Sequence, residues 1–295
     1  MVTKRSTSEK VFDGFNILFL TLLVFIFAYP LIYVVFASLS DPNELIKHQG
    51  LLLMPKGFSL EGYKLVLNAR YIHTGYLNTI LYVVAGTAIN IFMSCLGAYV
   101  LSRKKLYIRR FLTVMVVFTM YFSGGLIPLY LTVRNLGLYN SRLALLLPVA
   151  INTWNLIVMR TSFSQVPESL EEAAKIDGAN DFVILFRVYI PVVKANIAVM
   201  VLFYAVQHWN SWFNAMIYLA DRGKYPLQLF LRELLLFSSM MDLGTSSMGD
   251  GYFNPLTYNL IKYCAIVVST LPILCIYPFL QKHFTKGVMI GSVKE

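Results

Sequence analysis

Residues 164–179 hold the densest set of chemically purposeful side chains in the sequence. Glu168, Glu171, Glu172 and Asp177 stand there among Ala173, Ala174, Gly178 and Ala179. Pro167 suits the first position of a helix, Glu168 and Glu171 complement the positive end of its dipole, and Gly178 can take the left-handed conformation that stops it. A second short helix is expected to begin near Asn180 or Asp181 and to end before Pro191. Two short helices bent at a glycine, with alanines that permit close approach, make a knob that fits a groove on another protein. The competing reading is an amphipathic connector lying on a membrane surface. The five acids Glu168, Glu171, Glu172, Asp177 and Asp181 weigh against it, because anionic lipid would repel them.

A second constellation comprises Gln207, His208, Trp209, Asn210, Trp212 and Asn214. Aromatic faces stack on the apolar side of a sugar ring while amides satisfy its hydroxyls, so Gln207, Trp209, Asn210, Trp212 and Asn214 have the chemistry of a pathway wall for a polyhydroxylated solute. Asn152, Trp154 and Asn155 could contribute from a neighbouring helix. The alternatives are helix-to-helix amide bonds, worth roughly 0.6–2 kcal/mol in a membrane, and an interfacial belt of tryptophans.

Other chemistries find no footing. No GxxxxGK[ST] phosphate loop occurs, and the Gly-Lys pair at Gly223 and Lys224 is followed by Tyr225, so the chain is expected to bind no nucleotide of its own. HExxH and GxSxG are absent too, which leaves no catalytic residues to assign. Cys95, Cys264 and Cys275 lie in apolar stretches without metal or redox spacing. His48, His73, His208 and His283 are scattered, so neither a metal site nor a bound cofactor is expected.

The elements that must position these residues follow from composition. Fifty-seven per cent of the 295 residues are hydrophobic and 14% charged, against about 25% charged in ordinary soluble domains. With a mean hydropathy of +0.63, the chain belongs to the membrane class. The net charge of +10 does not signal nucleic acid, because the cations sit between apolar runs instead of on one exposed face. Apolar runs at about 15–39, 76–101, 111–133, 142–160, 195–219 and 259–280 predict a single all-α domain of six transmembrane helices covering 1–295. The third run is interrupted by Gly124, Gly125 and Pro128. The first is too long for a cleaved signal peptide and is expected to remain as a span.

Arg103, Lys104, Lys105, Arg109 and Arg110 put the loop after the second run in the cytoplasm. Both termini are then cytoplasmic, as are the 164–191 loop and the tail at 281–295. The loops 40–75, 134–141 and 220–258 face outward, where the first and last are long enough to be docking surfaces or simple links.

Glu172-Ala173-Ala174, Asp177-Gly178-Ala179 and Ile190-Pro191 together resemble the EAA loop of ATP-binding-cassette importer permeases, with Val188 and Tyr189 a conservative departure near its end. The resemblance extends over nearly the whole chain and is to the smaller permease of carbohydrate (maltose and oligosaccharide) importers. It implies ATPase coupling through Glu171, Glu172, Ala173, Ala174, Asp177, Gly178, Ala179 and Pro191. In the maltose branch a glycine-containing tail enters the ATPase dimer, which implies a second contact at Gly287 and Gly291. The implied partners are a second, homologous permease in a heterodimer, two ATPase subunits that use ATP-Mg, an extracytoplasmic solute-binding protein and the lipid bilayer of a bacterial cytoplasmic membrane. The implied cargo is an oligosaccharide moved by alternating access. An acidic, uronate-rich fragment of alginate or pectin is the narrower expectation. A peptide or other small solute, and a nontransport subunit that only docks an ATPase, are the alternatives.

Overall fold

The computed structural model describes residues 7–48, 50–242 and 261–275, the side chains of 237–242 excepted. Among them the regular elements are helices: α1 (Thr7–Ser38), α2 (Pro42–Lys47), α3 (Glu61–Asn68), α4 (Arg70–Ser102), α5 (Arg109–Tyr121), α6 (Leu126–Asn135), α7 (Thr153–Ser164), α8 (Glu168–Ile176), α9 (Asp181–Ile184), α10 (Ile190–Val192), α11 (Lys194–Trp209), α12 (Phe213–Tyr218), α13 (Leu227–Asp242) and α14 (Ile261–Cys275). The predicted tail contacts Gly287 and Gly291 lie outside the described residues.

The helices α1 and α4 are continuous, long and apolar enough to cross a membrane. The runs at 111–133, 142–160 and 195–219 are broken, the first at its expected glycine and proline interruption and the other two as a correction to the expectation of unbroken spans, while α14 is the described part of the run at 259–280. The run at 111–133 is two helices bent by 114°. Gly125 makes the corner at φ +86°, and Pro128 sits in the first turn of α6, where its missing N–H removes no bond. The run at 142–160 opens as a 3-10 turn, Arg142–Leu145, and becomes α-helical only at Thr153. Pro148 disfavours helix at the residue before it, and Asn152 caps the new start by accepting from the Asn155 amide at 3.1 Å. The run at 195–219 breaks between α11 and α12, where the Asn210 amide donates to the Val206 carbonyl at 3.0 Å. Such local side-chain bonds offer the backbone an alternative to the helical ladder.

Pro191 does not end the second loop helix as predicted. A π turn, Leu185–Tyr189, precedes it, and helix continues through α10. A π turn widens the helix and relieves the clash that a proline ring makes with the preceding turn. The chain instead turns by 89° before Lys194.

The described residues fall into two compact units, one within 7–69 and 233–270 and the other within 70–232 and 271–275. In the first, Ser38 Oγ meets the Tyr63 hydroxyl at 2.7 Å, and Tyr33 packs edge-on to Tyr263 at 5.9 Å. The apolar side chains of α1 point outward along nearly its whole length, an arrangement suited to lipid or to apolar neighbours.

The second unit is organised around α4. Gly75, Gly86 and Gly97 recur at intervals of about three helical turns and line one stripe. Each admits a different neighbour: Phe230 and Leu227 at Gly75, the His208 ring at Gly86, and Leu156 at Gly97. Around this stripe one core gathers Tyr99, Leu156, Met159, Phe163, Ile184, Leu185 and Tyr189, and a second gathers Tyr82, Leu145, Ala215 and Tyr218. The first of these cores fixes the knob, and the second supports the break between α11 and α12.

Candidate functional site

The knob is built from α8, α9 and the π turn. Pro167 occupies the cap position of α8 with ψ 132°, one residue earlier than the sequence suggests. At the other end Gly178, at φ +79°, places its N–H on the Lys175 carbonyl at 3.0 Å, and Ala179 returns to the Ala174 carbonyl at 2.9 Å. This paired closure is a Schellman motif, and its left-handed residue explains the glycine. Asn180 then caps α9 by accepting from the Val183 amide at 2.9 Å. A helix stop and a helix start are thus separated by a two-residue corner.

What holds the knob is a set of charges whose partners were separated in sequence. Arg103, Lys104 and Lys105, which follow α4, pair in order with Glu171, Glu168 and Glu172 on α8. The Arg103–Glu171 pair is the sheltered one, with side chains 16% and 12% exposed. Lys175 Nζ approaches Glu171 at 2.7 Å, and the Tyr189 hydroxyl donates to the other carboxylate oxygen at 2.8 Å. Arg103 also bonds Asp181 and lies over the Tyr99 ring at 4.3 Å from its centre. Tyr99 meets Tyr189 edge to face at 5.1 Å. Burial pushes the Tyr189 phenol above its ordinary pKa, which keeps it a donor. The Glu168 carboxyl is held below the usual range by its hydrogen bond to Lys104, but both partners are exposed and the pair adds little stability. Of these side chains, all but Lys104 and Tyr189 line a cavity of about 390 Å³.

The residues expected to couple to an ATPase therefore divide. Glu171 faces the clamp, and Ala174 and Ala179 pack against the core. Glu172, Ala173, Asp177 and Gly178 are exposed, and Pro191 is exposed in α10. Beside the exposed set stand Leu170, Ile176 and Phe182, which are 42%, 87% and 64% exposed. These apolar side chains escaped the sequence reading because nothing local separates a core-facing Ile from an outward one. In the sequence Arg103 marks topology, although a carboxylate destined for burial, Glu171, signals that some cation must meet it.

At the break between α11 and α12, Gln207, Asn210, Trp212 and Asn214 line one cavity of about 200 Å³ together with Val149, His208, Ser211 and Phe213. Trp209 turns away from it, is 8% exposed and packs edge-on to Tyr76 at 6.3 Å. Asn152 and Asn155 also lie off this cavity. Asn152 Oδ1 serves as the α7 cap, Asn155 is buried, and Trp154 is exposed. His208 is a satisfied core residue whose Nε2 meets Asn90 Oδ1 at 2.6 Å. Among the described residues no cluster of three metal-ligating side chains occurs.

No protein-family model matches the chain. It is 44% identical over 286 residues, 97% of its length and 99% of the relative's, to the polygalacturonan/rhamnogalacturonan transport system permease protein YtcP of Bacillus subtilis. It is 42% identical to the protein LplC of the same organism, over 98% of this chain and 97% of that one. In three dimensions it matches a chain from the crystal structure of a bacterial ABC transporter involved in the import of the acidic polysaccharide alginate. There the TM-score is 0.86 and the identity 33%, with 96% of this chain and 100% of that one covered. Identity at these levels over nearly full length, joined to the all-helical fold and the EAA knob, places the chain in the family of carbohydrate ABC-transporter permeases.

Proposed function

We propose that this chain is the translocation subunit of a binding-protein-dependent importer that carries an acidic oligosaccharide across a bacterial cytoplasmic membrane. It forms one permease domain of six membrane passages with both termini inside, and it pairs with a second, homologous permease. Two separate ATPase subunits supply power from ATP-Mg, and an extracytoplasmic binding protein delivers the sugar. A polysaccharide-derived cargo is favoured over a peptide by the relatives, one named for polygalacturonan/rhamnogalacturonan transport and one from a transporter involved in the import of the acidic polysaccharide alginate.

The observation that carries this reading is the rigid seating of an exposed apolar knob. Leu170, Ile176 and Phe182 are offered outward while Arg103 and Glu171 lock their helix to α4. A partner that grips α8 therefore moves α4, and α4 carries Gly86, against which His208 of α11 packs. Closure of an ATPase dimer around ATP would draw the knob along and bias the bundle toward one orientation, as any ligand biases the state it binds better. Substrate contacts are assigned to Gln207, Asn210, Trp212 and Asn214, with Trp209, Asn152 and Asn155 outside the cavity they line. Glu172, Ala173, Asp177, Gly178 and Pro191 supply the ATPase-facing surface, joined by the tail at Gly287 and Gly291.

The test is ATPase activity of the assembled complex in liposomes, with and without binding protein, in the presence of oligogalacturonides, alginate oligomers or neutral oligosaccharides. Stimulation at least severalfold by a uronate oligomer with its binding protein is the expected result. Activity indifferent to every sugar would overturn it.

A further inference from the structure

One described cation of the second unit combines an aromatic contact with a buried, unbonded nitrogen. Arg232, on α13, lays its guanidinium over the Trp212 ring at 3.6 Å from the ring centre. Its Nε is buried and has no hydrogen-bond partner among the described residues. No ion pair joins it to a described carboxylate, whereas Arg103 and Lys224 each face one. An aromatic face holds a guanidinium without neutralising it, so the charge is retained and oriented. The same indole that carries Arg232 also lines the cavity at the α11–α12 break, beside Gln207, Asn210, Ser211 and Asn214. The Trp212 ring thus links amides suited to hydroxyls, which line the cavity with it, to a guanidinium that no described carboxylate neutralises and that lies against the ring without lining the cavity itself. Trp209, three residues earlier, adds a second buried donor, Nε1, that has no partner among the described residues.

We infer that Arg232, held by Trp212, is the element that selects sugars bearing a carboxylate at this cavity; the inference rests on the acidic-oligosaccharide reading above. A guanidinium whose Nε is shielded from solvent attracts a carboxylate more strongly than one in open water, because the surroundings screen less, and its planar fork is matched to a carboxylate. A neutral sugar would use the amides alone. The effect is therefore one of discrimination between sugars, separate from the ATPase contact at the knob.

The experiment compares uptake of trigalacturonate with uptake of the same trisaccharide after its carboxyls are reduced to primary alcohols. Both are measured in liposomes holding the complete complex, for wild type, Arg232→Gln and Arg232→Lys. The ratio of acidic to neutral uptake is expected to fall about tenfold or more in Arg232→Gln, with a smaller loss in Arg232→Lys, which keeps the charge but not the flat stack. A ratio unchanged in Arg232→Gln, including an equal loss of both sugars, overturns the inference while leaving the acidic-substrate reading intact. A wild type that shows no preference for the acidic sugar overturns both. Should Arg232→Gln fail to assemble, Arg232→Lys decides the matter: a ratio lowered about threefold supports the selectivity role, and a wild-type ratio overturns it.

Discussion

Arg103, the residue that follows α4, grips Glu171 of α8 in an ion pair sheltered from solvent on both sides. Tyr189 and Lys175 complete the hydrogen bonding of that carboxylate. Each charge is satisfied only while α8 sits where it does, so the pair reports directly on whether the knob and α4 move together.

Removing either partner leaves a poorly solvated charge, at a cost of about 3 kcal/mol. Arg103→Ala and Glu171→Ala are each expected to raise the ATP hydrolysed per sugar transported and to speed hydrogen exchange across 168–189. The double variant should lose less than the sum, because the two side chains act as a unit. Additive losses in that cycle would mean that the two residues act separately.

Gly178 closes α8 with a backbone conformation that a β-branched residue adopts poorly. Gly178→Val is expected to cost about 1–2 kcal/mol locally and to uncouple hydrolysis from transport, while Gly178→Asn retains most coupling. Tight coupling in the valine variant would contradict the role given to this corner.

Ile176 is 87% exposed, so Ile176→Asp should change the stability of the permease by no more than about 0.5 kcal/mol. Recovery of the ATPase subunits with the purified permease is nevertheless expected to fall at least tenfold. Undiminished recovery would remove Ile176 from the docking surface.

At Gly86 an added Cβ would run into the His208 ring. Gly86→Ala is expected to destabilise by about 1–3 kcal/mol through overpacking, despite alanine's better helix propensity. The comparison is Gly14→Ala in α1, where a Cβ meets nothing within 4 Å and a gain of about 0.5–1 kcal/mol is expected. Melting of the solubilised complex distinguishes them, and an unchanged midpoint for Gly86→Ala would show that the stripe is not tightly packed.

These expectations differ in how much of each was legible in the sequence. The knob could be read because its signals are local: Pro167, the early acids and Gly178 mark a helix start and stop regardless of what surrounds them. Its anchor could not, since Arg103 and Glu171 meet only after α4, α7 and the loop have folded. The apolar runs were legible as runs, but averaging over a window conceals the caps at Asn152 and Asn210 and the break at Pro148. Those breaks are what open the cavity lined by Gln207, Trp212 and Asn214. Arg232 stayed hidden for the same reason as Arg103, because the ring that holds it comes from a different helix.

The most direct measurement is accumulation of labelled oligogalacturonide inside liposomes that hold the complete complex, with ATP available to the ATPase subunits and binding protein at the opposite face. Uptake that requires both ATP and binding protein, and that collapses in the Arg103→Ala variant while ATP hydrolysis continues, is the expected result. Uptake independent of ATP, or no uptake of any oligosaccharide by an active complex, would contradict the assignment of this chain as the coupled pathway for an acidic sugar.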